Sequence, residues 1–136
     1  MSLLHQATCV AIRGRALLIE GPPGSGKSSL ALALIDRGAT LIGDDGVSLE
    51  PGSTRLYANP PPHIAGKLEV RNLGLLEFPT VSHVPIALIL RLDSEAPRFI
   101  EIAQPIDLYR IILPMVRVWP DCSAIKAELA LRLYGV

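Results

Sequence analysis

The sequence predicts an α/β fold in which one strand–loop–helix unit is set into a mixed, strand-rich sheet with few helices. Three observations carry this expectation. Residues 21–28 read Gly-Pro-Pro-Gly-Ser-Gly-Lys-Ser, a glycine-rich turn between an apolar run at 16–20 and a helix-forming run at 28–35. Most other apolar segments are short and bounded by glycine, proline, Asn or Asp, the pattern of strands and turns. Only one further segment, 123–133, has helical spacing. Repeated strand–helix alternation would give an almost all-parallel sheet, and that alternation is missing here. A small G protein or an ordinary nucleotide kinase is therefore disfavoured.

Taken in order, residues 3–12 and 15–20 predict a hairpin around Arg13-Gly14, leading into the glycine loop. A helix follows from about Ser28 to Arg37, with Leu30, Leu34 and Ile35 as its core face and Gly38 where a terminating glycine belongs. Residues 39–42 form a short strand that ends in Gly43-Asp44-Asp45-Gly46. Residues 47–50 and 55–58 predict a second hairpin over Pro51-Gly52-Ser53. The run Asn59-Pro60-Pro61-Pro62-His63 is a non-helical loop. Residues 84–92 read as a buried strand, with Pro85 near its start where a strand tolerates one. Residues 98–118 read as short strands broken by Pro105 and Pro114. Ser123 is a plausible N-cap for the last helix.

Gly21, Gly26, Lys27 and Ser28 fill the G-x-x-x-x-G-K-[ST] pattern of a phosphate-binding loop. Glycines let the backbone approach phosphates closely. Successive N–H groups of Pro22-Pro23-Gly24-Ser25-Gly26 through Ser28-Ser29, less the prolines, converge at a helix N-terminus whose dipole favours negative charge. In this pattern the lysine reaches the β- and γ-phosphates and the serine hydroxyl ligates Mg²⁺. The expected ligand is a nucleoside triphosphate with Mg²⁺.

Composition narrows the partners. The 136 residues carry 13 basic and 13 acidic side chains, and 49% are apolar. A neutral chain without a basic run argues against nucleic acid as the main partner. Neutrality with high apolarity favours self-association. Cys9 and Cys122 sit in no metal or redox spacing and suit a reduced compartment. The N-terminus lacks the features of a signal peptide, and no apolar stretch reaches membrane-spanning length, so a cytoplasmic protein with no membrane association is expected.

Asp44 and Asp45 follow an apolar strand that is expected to lie next to the strand leading into the loop. Adjacent carboxylates point in different directions and suit divided work: one to hold Mg²⁺, one to accept a proton from an attacking hydroxyl. The alternative is a solvated Asp-Asp-Gly turn. Glu69 and Arg71, in Leu68-Glu69-Val70-Arg71-Asn72-Leu73-Gly74, would share one side of a strand, and on composition alone an exposed ion pair is the simpler reading.

Together, His5, the loop 21–28, the block 37–45 (Arg-Gly-Ala-Thr-Leu-Ile-Gly-Asp-Asp) and the segment 68–74 resemble the C-terminal catalytic domain of the HPr kinase/phosphorylase family. The resemblance implies a P-loop kinase core on a mixed sheet, phosphoenolpyruvate-carboxykinase-like, as one domain over 1–136. It implies ATP-dependent phosphorylation of a serine on an HPr-type phosphocarrier of the phosphotransferase system, with phosphorolysis as the reverse, and a hexameric assembly. It further implies that Asp44 is the general base, that Lys27 stabilises the transferred group, that Ser28, Glu69 and Asp45 serve Mg²⁺, and that His5 lies near the phosphates. Arg98 matches a downstream catalytic arginine, with Arg110 and Arg117 as rivals. The chain departs from the family at Asn72, where the pattern has glycine, and lacks a Pro-Gly-Arg-Asn-like loop, which favours the kinase over the phosphorylase direction. The match lacks the separate N-terminal domain of longer members. Two alternatives stand beside this reading: a P-loop kinase or ATPase for a small molecule, and a non-catalytic nucleotide-dependent regulator.

Overall fold

The computed structural model describes residues 2–136. The sheet is built around β3 (Arg15–Glu20) and β9 (Val84–Leu92), which run parallel. On one side of β3 lie β2 (Thr8–Ile12) and then β4 (Thr40–Gly43), both antiparallel to their neighbours, so the strand that ends in Asp44-Asp45 is not the direct neighbour of β3 that the sequence suggests; the hairpin partner β2 takes that edge. On the other side β9 divides its edge. Its first residues pair with β6 (Leu56–Asn59), which continues to β5 (Val47–Pro51) and β1 (Leu3–His5). Its last residues pair in parallel with β11 (Ile111–Val118), which carries β10 (Gln104–Leu108) on its far side. A separate two-stranded hairpin, β7 (Lys67–Val70) and β8 (Gly74–Glu77), stands off the main sheet.

Two helices complete the chain, α1 (Lys27–Asp36) and α2 (Ala124–Tyr134). Neither is long and apolar enough to cross a membrane. Strand residues alternate between two apolar clusters, as period-2 geometry requires. Leu17 and Ile19 join Leu30, Ala31 and Leu34 of α1 and Ala127 and Leu131 of α2. Ala16 and Leu18 face the opposite way, toward Leu49, Leu56 and Met115. Buried on both faces, β3 and β9 are near-continuous apolar runs, which is why they are legible as interior strands.

The elements form where local chemistry allows them. Arg13 (φ 52°) and Gly14 (φ 80°) both take the left-handed conformation that a two-residue hairpin turn of the I′ type needs. Helix α1 ends in a Schellman arrangement: Gly38 N–H donates to the Ile35 carbonyl and Ala39 N–H to that of Leu34. Ser123 Oγ accepts from Lys126 N–H at the start of α2, as an N-cap should.

Three expectations are corrected. The first apolar run is not one strand: it divides at Gln6-Ala7, so that β1 pairs with β5 and β2 with β3. Pro105 and Pro114 do not break the chain into fragments. They lie directly opposite one another inside β10 and β11. A proline has no N–H to give, and the non-hydrogen-bonded sites of an antiparallel pair ask for none across that ladder. Arg71 does not continue the strand of Glu69: β7 ends at Val70, and Asn72 (φ 70°) turns the chain back with Leu73 N–H on the Val70 carbonyl. Among the described residues no ion pair joins Glu69 to Arg71.

Candidate active site at the phosphate-binding loop

The loop runs from the end of β3 to the start of α1, so the sheet edge and the helix N-terminus meet at residues 21–26. Gly26 is the helix N-cap, with φ 97° and no side-chain cap. The first N–H groups of α1 are thus left for a ligand. Gly21 is required by space: a Cβ there would lie 2.6 Å from Ser25 Oγ and 3.1 Å from the Leu92 carbonyl. At Gly24 nothing lies within 4 Å of an added Cβ, so the loop's outer face is open. Ser25 Oγ is buried and has no hydrogen-bond partner, an orphan inside the cradle. An uncapped helix start, an open glycine face and an unpaired hydroxyl together fit a bound polyphosphate.

Lys27 Nζ folds back onto the loop, donating to the carbonyls of Gly21 (2.8 Å) and Pro22 (3.1 Å). It is held beside the anion site by two neutral acceptors that a phosphate can replace. A cleft of about 560 Å³, the size of a small-molecule site, opens over this loop. Pro23, Gly24, Gly26, Lys27, Ser28 and Ser29 form its floor, and Asp44, Asp45 and Glu69 its wall.

Asp44 is the centre of the wall. It is 9% exposed. Ser28 Oγ donates to its Oδ1 at 2.7 Å, Thr8 Oγ1 to the same oxygen at 3.1 Å, and Glu69 N–H to Oδ2 at 3.2 Å. A β-bulge between β2 and β4, where Cys9 faces Gly43 but Val10 faces Leu41, turns the end of β4 so that the carboxylates reach the loop. Asp45 follows in the left-handed region (φ 61°) and also lines the cleft. The hairpin β7–β8 supplies Glu69.

The structure thus brings together Lys27, Ser28, Ser29, Asp44, Asp45 and Glu69. It sets His5 elsewhere, in a second cleft that Gly21 and Pro22 also line, on the other flank of the loop. There His5 Nε2 donates to Glu20 Oε2 (3.0 Å), and Nδ1 lies 3.2 Å from Tyr109 Oη. Arg91 Nε and Nη2 donate to the other Glu20 oxygen at 3.2 and 2.9 Å. Burial pushes the Glu20 carboxyl up, but the hydrogen bonds and charges of His5 and Arg91 outweigh it and hold the group below its ordinary value. Arg98 lines neither cleft, and its guanidinium lies over the ring of Phe99. Arg117 Nη1 donates to Asp93, and Arg110 sits at the β10–β11 turn. The arginine that does line the main cleft is Arg71.

Several contributors escaped sequence reasoning. Thr8 reads as one more β-branched residue in an apolar strand. Asp121, φ 58°, braces the loop by donating its N–H to the Ser25 carbonyl at 3.0 Å, and it too lines the cleft. Arg91 meets Glu20 only through the register of β9 on β3. The one available signal was Thr8 itself, a hydroxyl five residues before the predicted turn at Arg13-Gly14, with no turn of its own.

Comparison with known proteins gives the family and the fold. The profile of the HPr Serine kinase C-terminal domain matches residues 2–84. An HPr kinase/phosphorylase of Clostridium tetani is 40% identical over 72 residues, covering 53% of this chain and 24% of that protein. One of Cupriavidus pinatubonensis is 34% identical over 119 residues, covering 79% of this chain and 37% of that protein. The chain therefore spans well under half the length of these relatives. The solved HPr(Ser) kinase/phosphatase of Coxiella burnetii superposes with a TM-score of 0.85 over 96% of this chain and 94% of that one, at 23% identity, so the likeness there is one of fold. A phosphate-binding loop on a mixed sheet, an Asp-Asp pair at the next strand end and a matching family profile lead to one assignment: the chain belongs to the HPr serine kinase C-terminal domain family.

Proposed function

We propose that this domain is an ATP- and Mg²⁺-dependent protein-serine kinase acting on an HPr-type phosphocarrier. The observation that carries the reading is the Ser28–Asp44 contact of 2.7 Å on the floor of a nucleotide-sized cleft. It puts a carboxylate beside the loop that holds the γ-phosphate, where a general base for an incoming hydroxyl is needed. Asp44 takes the serine proton. Lys27 moves from its loop carbonyls to the transferred group. Ser28, Asp45 and Glu69 would hold Mg²⁺, which when bound neutralises charge on the phosphate oxygens. Arg71 is supported as a further cation by its place on the cleft wall, whereas Arg98 rests on the family resemblance alone. The reverse reaction, phosphorolysis, uses the same residues with Asp44 returning the proton. Zero formal charge and exposed apolar side chains on α2 (Ile125, Leu129, Leu133) support a homo-oligomer, a hexamer by resemblance.

The test incubates the protein with γ-labelled ATP, Mg²⁺ and a purified HPr-type carrier. Label on a carrier serine is expected. Asp44→Asn should reduce transfer by about 10³-fold or more while changing ATP affinity little. Lys27→Ala should weaken both. Label on a small metabolite instead supports a small-molecule kinase. Tight ATP binding with no turnover supports a nucleotide-dependent regulator. Transfer by Asp44→Asn at the wild-type rate removes the base assignment.

A further inference from the structure

Among the described residues three polar side chains are buried, Thr8, Ser25 and Asp44, and all three lie at the phosphate-binding loop. Thr8 is 1% exposed, between buried Ala7 and Cys9, and sits opposite Ile19 of β3 on the sheet face covered by α1. For packing alone valine would serve there, and a buried hydroxyl costs free energy unless it is paired. It is paired twice, and both times with the Asp-Asp segment. Thr8 Oγ1 donates to Asp44 Oδ1 at 3.1 Å and accepts from Asp45 N–H at 3.4 Å.

The count of acceptor sites on Asp44 gives this pairing a consequence. Each carboxylate oxygen offers about two lone-pair sites. On Oδ1 both are filled, by Thr8 at 3.1 Å and Ser28 at 2.7 Å. On Oδ2 one is filled, by Glu69 N–H at 3.2 Å. The Ser28 hydroxyl can keep its proton on Oδ1 and still offer a lone pair outward.

We propose that Thr8 is a positioning residue for phosphoryl transfer: its hydroxyl, together with that of Ser28, saturates Asp44 Oδ1 and so presents Oδ2 as the oxygen that receives the substrate proton. The proposal rests on the reading of Asp44 as base. In the step itself the substrate serine oxygen forms its bond to the γ-phosphorus. The bond from that phosphorus to the β–γ bridging oxygen breaks, and its electron pair leaves with ADP. The serine hydroxyl proton passes to Oδ2. Thr8 touches none of the reacting atoms. It fixes the rotation of the carboxylate and, through the Asp45 amide, the left-handed turn that follows.

The test compares Thr8→Val, which keeps the shape, with Thr8→Ser, which keeps the hydroxyl. In the carrier assay Thr8→Val is expected to lower kcat about tenfold, the worth of one lost hydrogen bond, and to leave KM for ATP within about twofold. Thr8→Ser is expected to restore most of kcat. A second measurement does not depend on turnover: the amide proton resonance of Glu69, which donates to Oδ2, should shift and exchange faster in Thr8→Val and overlay on wild type in Thr8→Ser. Wild-type kcat and an unmoved Glu69 resonance in Thr8→Val overturn the proposal. Equal loss in both variants also overturns it, because the role is then packing. If wild type itself leaves the carrier unlabelled, the functional reading fails, and the Glu69 resonance still decides whether Thr8 holds Asp44.

Discussion

Glu20 shows how a single side chain just before the loop carries several loads. Its carboxylate is 17% exposed and accepts from His5 on one oxygen and from Arg91 twice on the other. Because these donors hold its folded value below the ordinary one, the stabilisation it contributes is complete above the usual carboxylate range and is lost as pH falls through the folded value. Glu20→Gln keeps the volume and removes the charge. It should cost about 1–3 kcal/mol at pH 7, and the gap should narrow as pH falls below the ordinary carboxylate range toward the lowered folded value. Denaturant unfolding of both proteins at pH 7 and pH 3.5 checks this; a gap that persists unchanged at pH 3.5 rules out the ionic contribution. At this scale the sequence was readable only in part. Lys27 and Ser28 stand at fixed offsets from glycines, so their place at the start of α1 follows from local spacing. The partners of Glu20 do not: Arg91 is 71 residues away and meets it through strand register, and His5 is itself held by Tyr109, which arrives from a distant turn.

Among the elements, the hairpin β7–β8 is the least secured part of the site. An isolated two-stranded hairpin is marginal in water. All four residues of β8 are exposed, and of β7 only Leu68 is fully buried, in the cluster beneath α1. The hairpin's polar tie to the wall is the Glu69 N–H bond to Asp44. Leu68 is thus the anchor that delivers Glu69 to the cleft. Leu68→Ala should destabilise the fold by about 2–4 kcal/mol, and it should weaken Mg²⁺-dependent nucleotide binding several-fold without touching the loop. Calorimetric titration with nucleotide, with and without Mg²⁺, reads this directly: an unchanged Mg²⁺ increment means that the hairpin is not the carrier of a metal ligand. The hairpin also explains a misreading. Leu68, Glu69, Val70 and Arg71 look like one strand because their alternation is regular, but Asn72 tolerates a left-handed backbone and ends β7 one residue earlier. Turn position is decided by that single conformer, which alternation does not reveal. Helix α1, by contrast, was legible at both ends, since its start is a glycine loop and its stop a glycine with φ 108°.

At the scale of the whole molecule, the strand-rich sheet with two helices was legible because glycine and proline punctuate it, and because β3 and β9, buried on both faces, have no polar face to disguise them. The branching of the sheet at β9 was not legible. It depends on β9 giving up one neighbour, β6, for another, β11, halfway along its edge, and no local pattern encodes that exchange. Its effect is to hold β3, the loop and the segment around Asp121 against one another, with Asp121 N–H on the Ser25 carbonyl, so the candidate anion site has its shape without a ligand. Such a site binds the folded state and not the unfolded chain, and ligand must therefore stabilise the whole domain. At 100 times its Kd, a nucleotide contributes about 2.7 kcal/mol. For a chain of 136 residues this corresponds to a rise in Tm of roughly 10 °C. ATP with Mg²⁺ should give this rise in a thermal unfolding scan, ATP with a chelator a smaller one, and Lys27→Ala little with either. A rise of the same size in Lys27→Ala would mean that the nucleotide binds away from the loop, and the cleft over Gly24 would lose its claim as the active site.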